Sequence, residues 1–240
     1  FLDAGYDVVL GVDYDESALK TFQENHGTAT AMKLDLYNHD NITCIVDFLK
    51  EKGIHTLDVL VGGPPCQGFS YAGKMDINDE RNFLYLAMVK LTEKLKPKAV
   101  LLENVLAMIE ANGGVGAKRV IDDFDRIGYK MVPKVLFAPE YGVPQIRKRV
   151  FFVGLRDSAV EFEFPNASVD QEHFVTCEEA ISDLPSLQTR EGNILKGENV
   201  QEYMLPPQSE YQKRMRKDSL QVYNHIGSVP IEKTQKMIAL

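Results

Sequence analysis

The sequence predicts a doubly wound α/β domain on a mostly parallel sheet, followed by the start of a second, smaller domain. Three observations carry that expectation. Short apolar, β-branched runs alternate with stretches of helical spacing from Asp7 to Val153. Those runs are apolar throughout rather than alternating with polar residues, the mark of strands covered on both faces. After about Leu187 the alternation dissolves into polar and turn-forming residues, including Pro206-Pro207. Strand and helix in strict succession favour parallel strands joined by crossover helices.

Taken in order, Asp7 to Asp13 reads as a buried strand, and Glu16 to Asn25 as a helix with Ala18, Leu19 and Phe22 on one face. Ala31 to Leu34 is a second strand. Asn41 to Lys50 places Ile42, Ile45, Val46 and Leu49 in helical register, and Leu57-Asp58-Val59-Leu60-Val61 is a third strand. Phe83 to Leu95 is an amphipathic helix stopped by Lys96-Pro97, because proline cannot continue a helix. Ala99 to Leu102 is a fourth strand, Val115 to Ile127 a helix ended by Gly128, and Lys130 to Phe137 and Val150 to Val153 are two further strands. Residues 1–187 are therefore expected to form the α/β domain and residues 188–240 a linker with the beginning of another.

Composition narrows the class. With 240 residues, 44% hydrophobic and 26% charged, the chain has ordinary globular usage and no apolar stretch near the ~20 residues of a membrane span. Cys44, Cys66 and Cys177 are odd in number, widely spaced and without a CxxC, which argues against a disulfide framework and a zinc site and for a reducing, cytoplasmic setting. The net charge of −8 is uneven. The first 60 residues carry four Lys/Arg against eleven Asp/Glu, a net −7, which leaves −1 for the rest. That remainder holds two basic clusters, Arg147-Lys148-Arg149 and Lys213-Arg214-Met215-Arg216-Lys217, and local sign steers a polyanion more than the total does.

The chemistry concentrates in Gly62-Gly63-Pro64-Pro65-Cys66-Gln67-Gly68-Phe69-Ser70, at the carboxyl end of the third strand. Ligands bind at that edge of an open α/β sheet. A buried free cysteine is usually an inert small hydrophobe, but a proline pair and a Gln-Gly turn suit an exposed, stiff loop and not a core. Glu103 closes the fourth strand and would stand at the same edge if the two strands are neighbours. A lone carboxyl after four apolar residues is either a cap or a general acid. Gln145, Arg147 and Arg149 alternate, as on one strand face, and are either solvated or poised to orient phosphate or a carbonyl oxygen. Asp13, at the end of the first strand, stands where such folds place the acceptor of ribose hydroxyls, with helix capping by Asp13 or Asp15 as the plain alternative. Asp35, after the second strand, is an adenine-amine acceptor or a turn former.

GGPPCQGFS, Glu103-Asn104-Val105 and Gln145-x-Arg147-x-Arg149, in this order and at these intervals, resemble the cytosine-C5 DNA methyltransferases from about residue 1 to about residue 187. The resemblance implies a Rossmann-like fold of the S-adenosylmethionine-dependent type and S-adenosyl-L-methionine as cofactor. It implies that Cys66 attacks C6 of a flipped cytosine, that Glu103 holds N3 and supplies a proton, and that Arg147 and Arg149 support base and thiolate. It assigns Asp13 to the ribose, Tyr14 to an adenine face, Asp35 and Leu36 to the adenine, Leu84 to an apolar wall, Pro65 to the cofactor, and Gln67 and Ser70 to the DNA. The segment Glu179-Ala180-Ile181-Ser182-Asp183-Leu184-Pro185, with Tyr203 and Tyr211 beyond it, is similar to bacterial members and implies a restriction-modification enzyme. The family's first Gly-rich motif would precede Phe1 and its late motifs would follow Leu240, so the chain is expected to be the central piece of a longer enzyme.

The expected partner is double-stranded DNA, with no membrane contact, a monomeric state and, in a prokaryote, a place at the nucleoid. Three alternatives stand beside this one. A related enzyme would methylate cytosine in transfer RNA, a binding module would keep the fold without catalysis, and a nicotinamide-dependent dehydrogenase would leave the Cys66 loop without a purpose.

Overall fold

The computed structural model describes residues 1–65, 84–157, 159–186, 188–189, 200–223 and 225–227. They divide into two compact units, one of residues 1–136 and 148–166, the other of residues 137–147 and 167–240.

The first unit opens with strand β1 (Leu10–Asp13), helix α1 (Glu16–Asn25) and strand β2 (Thr30–Lys33), a right-sized crossover that leaves the two strands parallel, Leu10 opposite Thr30 and Asp13 opposite Lys33. Asp15 starts α1, its carboxylate accepting from the N–H groups of Ser17 and Ala18. The ring of Phe22 lies flat on Gly11, where an added Cβ would sit 2.6 Å from it, so only glycine lets this helix close on its strand. Helix α2 (Asn41–Glu51) leads to strand β3 (Val59–Gly62), then helix α3 (Tyr85–Leu95) to strand β4 (Ala99–Val105), which runs parallel to β3 with Gly62 opposite Leu102. Lys96 ends α3 in the left-handed conformation, φ 47°, just before Pro97.

Short helix α4 (Ala107–Glu110) and helix α5 (Val115–Asp125) precede strand β5 (Tyr129–Phe137) and strand β6 (Lys148–Arg156). The strand order is β3-β4-β6-β5, with β1-β2 a separate ladder. β6 runs antiparallel to β4, Glu103 facing Phe151 and Val105 facing Arg149. The reversal follows from the connection, since residues 138–147 hold one 3-10 turn and no crossover helix. The α/β class and the parallel pairs meet the expectation, but the ladder is interrupted between β1 and β3. Helices α2 and α3 nevertheless pack on both parts. Their cluster of Ile42, Ile45, Leu49, Ala87 and Leu91 takes in Leu10, Val12 and Met32 from the first ladder and Leu60 from the second. A second core unites Val100, Leu102, Val120, Phe124, Val150 and Phe152.

The other unit is built from short elements: helix α6 (Cys177–Ile181), strand β7 (Gln188–Thr189), strand β8 (Val200–Glu202), helix α7 (Glu210–Met215), strand β9 (Gln221–Tyr223) and strand β10 (Ile226–Gly227). β7 pairs parallel with β10, and β8 antiparallel with β9. Polar side chains hold it. Buried Asp183 accepts from Arg216 at 2.9 Å, and the Arg216 guanidinium also donates to the Leu205 carbonyl and lies 3.6 Å over the Tyr203 ring. Buried Gln212 donates to the Glu178 carbonyl and the Ser182 hydroxyl. These bonds tie residues on both sides of Leu187 together, so the proposed boundary at 187 falls inside one compact unit. The second basic cluster is also less free than its sequence suggests. Arg216 is committed to Asp183, Lys213 pairs with Glu210, and Arg214 lies over Tyr211.

Among the described residues no helix is long and apolar enough to cross a membrane.

Candidate active site

The carboxyl ends of β3 and β4 stand side by side because the strands are parallel neighbours. Gly62 closes β3 where a Cβ would come within 2.7 Å of the Met88 sulfur, so α3 packs directly on the strand's backbone. From there Gly63, Pro64 and Pro65 leave the sheet at the level of Glu103. Cys66, Gln67 and Ser70 lie outside the described residues.

Glu103 is half-buried and ion-paired, its Oε1 accepting from Arg149 Nε at 2.9 Å. The pairing follows from register. Opposite residues of an antiparallel pair share a face, so Glu103, Val105, Phe151 and Arg149 lie on one face of the sheet, with the two charges on a diagonal. The Arg149 guanidinium also donates to the Lys148 carbonyl. Glu103 Oε2 is directed toward Gly63, at which an added Cβ would lie 3.5 Å away. The next residue, Asn104, points to the other face, where its amide donates to the Pro64 carbonyl at 3.0 Å. Sequence reasoning quoted Asn104 as part of a motif and gave it no role. A carboxamide on the strand face that otherwise carries Val100 and Leu102 was the available signal.

Of Gln145, Arg147 and Arg149, only Arg149 lies on a strand. β6 begins at Lys148, so Gln145 and Arg147 precede it and the alternating strand face expected for all three residues does not form. Arg147 is exposed, and its carbonyl accepts from Ala138 N–H.

At the far ladder, Asp13 and Asp35 both end up exposed beyond the carboxyl ends of β1 and β2. Asp13 Oδ1 accepts from Asp15 N–H at 2.9 Å, and Asp35 Oδ1 from Tyr37 N–H at 2.9 Å. Each carboxylate thus shapes its own turn, while the capping of α1 falls to Asp15. Tyr14 is 73% exposed beside Asp13. Leu36 and Leu84 both pack against the α2–α3 cluster. Two exposed carboxylates at neighbouring strand ends, with the Tyr14 ring next to one in the chain and Leu36 and Leu84 on the α2–α3 cluster, form a set that fits an adenosine: carboxylates for hydroxyls and an amine, apolar carbon for the base.

The model of the C-5 cytosine-specific DNA methylase family matches residues 1–237. The chain belongs to that family. Among curated DNA methylase relatives, it is 34% identical to the Type II methyltransferase M.DdeI of Desulfomicrobium norvegicum over 99% of its own length and 55% of the relative's. It is 37% identical to the Type II methyltransferase M.MthTI of Methanothermobacter thermautotrophicus over 85% of its length and 60% of that protein's. The chain therefore spans little more than half of the methylases it matches. In fold it is similar to an Escherichia coli prophage-encoded protein described as a DNA modification methyltransferase, with a TM-score of 0.76 and 23% identity over 97% of this chain and 68% of that one.

Proposed function

We propose that the protein of which this chain is part methylates C5 of cytosine in double-stranded DNA, with Cys66 as covalent nucleophile and S-adenosyl-L-methionine as donor. The observation that carries the reading is the Glu103–Arg149 pair, set beside the residues that lead into the Pro-Cys loop within a chain of this family.

Cytosine C5 is too electron-poor to take a methyl group unaided. Addition of the Cys66 thiolate at C6 forms an S–C6 bond and moves an electron pair toward C5, which makes C5 nucleophilic. The bound sulfonium cofactor supplies the methyl group. Loss of the C5 proton to solvent then returns the electron pair, breaks the S–C6 bond and restores the thiolate, while N3 gives its proton back to Glu103. Glu103 hydrogen-bonds and protonates N3, absorbing the charge that addition drives into the ring. Arg149 grips Oε1 and thereby directs the remaining carboxyl oxygen, a positioning role on which the timing of that proton depends. Arg147 is assigned to base and thiolate on its motif alone. Asp13, Tyr14, Asp35, Leu36, Pro65 and Leu84 would hold the cofactor's adenosine, and Gln67 and Ser70 the DNA around the extruded base. A monomeric, cytoplasmic enzyme of a restriction-modification pair accommodates all of these roles.

Labelled S-adenosylmethionine, incubated with the full-length gene product and duplex DNA, is expected to yield labelled 5-methyl-2′-deoxycytidine on digestion to nucleosides. Label only in transfer RNA, or in adenine, would contradict the reading. Glu103→Gln should reduce turnover at least ~100-fold while leaving the fold intact, in keeping with the usual size of general acid-base effects.

A further inference from the structure

Residues 34–40 connect β2 to α2 and carry Asp35 and Leu36, both assigned above to the adenine. Leu84, assigned to the wall of the same site, stands at the start of α3. The connection is anchored to the first turn of α2. The Asn41 amide donates to the Asp35 carbonyl at 2.8 Å, and Ile42 N–H donates to the His39 carbonyl at 3.2 Å. Leu36 and Leu84 join one apolar cluster, but apolar contact is non-directional and does not by itself fix the loop's position against α3.

A directional contact does. Lys90, further along α3, brings its ammonium to 2.5 Å from His39 Nδ1. An ammonium can only donate, so Nδ1 presents its lone pair, the ring proton sits on Nε2, and His39 is neutral. His39 is half-buried and Lys90 exposed. The charged groups that face the imidazole are Lys90 from α3 and Asp40 from its own loop. Burial first, and then the Lys90 charge, hold His39 below the ordinary histidine range, against an opposing pull from Asp40. Acid reverses the contact, because a protonated ring has no lone pair to offer Lys90 and repels it.

We propose that His39 is a positioning residue for the cofactor: by accepting from Lys90, it clips the loop of Asp35 and Leu36 to the helix that carries Leu84. The inference rests on the S-adenosylmethionine reading above. It assigns His39 to binding and not to the chemistry.

The test is the affinity of the full-length protein for S-adenosylmethionine, measured by calorimetry. At pH 7.5, His39→Ala and Lys90→Met should each bind about three- to tenfold more weakly than wild type, the range of one partly exposed polar contact. The double variant should be no weaker than either single one, since both changes remove the same contact. His39→Asn places an amide oxygen near the position of Nδ1 and should recover most of the affinity. In turnover, the losses should appear in KM for the cofactor and not in kcat. Between pH 7.5 and 5.0, wild type should lose affinity relative to His39→Asn, with a midpoint below about 6.5. Equal affinities in wild type and His39→Ala, additive losses in the double variant, or identical pH profiles in wild type and His39→Asn overturn the proposal. So does a fall in kcat without a rise in KM. Absence of cofactor binding by the wild-type protein instead overturns the S-adenosylmethionine reading itself.

Discussion

Arg149 and Arg147 are two residues apart and chemically identical, yet they occupy different situations. Arg149 is on β6 with its guanidinium on Glu103, whereas Arg147 lies before the strand and is exposed. The sequence pattern Gln-x-Arg-x-Arg held the identity of the residues but not the point at which extended pairing begins, because strand starts depend on the partner strand. Arg149→Met keeps most of the side chain's apolar stem and removes the grip on Oε1. Its expected outcome is a 10- to 100-fold fall in turnover at unchanged DNA affinity, measured by single-turnover kinetics. Asp13 teaches the same lesson at smaller scale. Its alternative role as a helix cap was in view, and the cap belongs to Asp15. Cys66 stands out in the sequence through the company it keeps, two prolines before it and Gln-Gly after it, and lies outside the described residues.

Elements were legible where local signals agree with packing. Helix α1 follows from its apolar spacing and its Asp15 cap, and it begins and ends where the sequence suggests. Replacing Asp15 with alanine should cost about 1 kcal/mol, measured by denaturant unfolding. The direction of β6 was not legible, because its apolar run Val150 to Val153 looks the same in either orientation and only the absence of a crossover helix decides it. Helix α3 is pinned to α5 by the Tyr85 hydroxyl, which donates to Asp123 at 2.6 Å. Burial first, and then the Asp123 carboxylate, hold the Tyr85 phenol well above its ordinary range. A group whose folded pKa is raised binds its proton more tightly when folded, so the stability it confers is complete below the unfolded value of about 10 and declines above it. Stability should therefore fall above about pH 10, and Tyr85→Phe should make that fall shallower. An unchanged alkaline limb in the variant would refute the linkage.

At the scale of the whole molecule, the division into two units was the least legible feature. The fading of periodicity near Leu187 suggested a boundary there, but what decides it is long-range and polar. Asp183 is buried against Arg216, a residue that in sequence looks like one more positive charge in a basic run. Removing one partner of a buried pair leaves the other uncompensated, so Arg216→Ala should destabilise the second unit by about 3 kcal/mol and expose its segments to limited proteolysis. Total charge was likewise a poor guide. A net −8 would discourage a polyanionic partner, yet −7 of it belongs to the first 60 residues, and the remaining 180, which hold Arg149, are close to neutral.

The central claim is a bond between sulfur and carbon. It is tested most directly by the intact mass of the full-length protein after incubation with S-adenosylmethionine and a duplex carrying 5-fluorocytosine, whose fluorine blocks the elimination that frees the enzyme. The account predicts a denaturation-resistant species with the combined mass of protein and methylated strand, lost in Cys66→Ser. Methylation of ordinary cytosine in DNA with no such species, or an adduct that survives in Cys66→Ser, would contradict it.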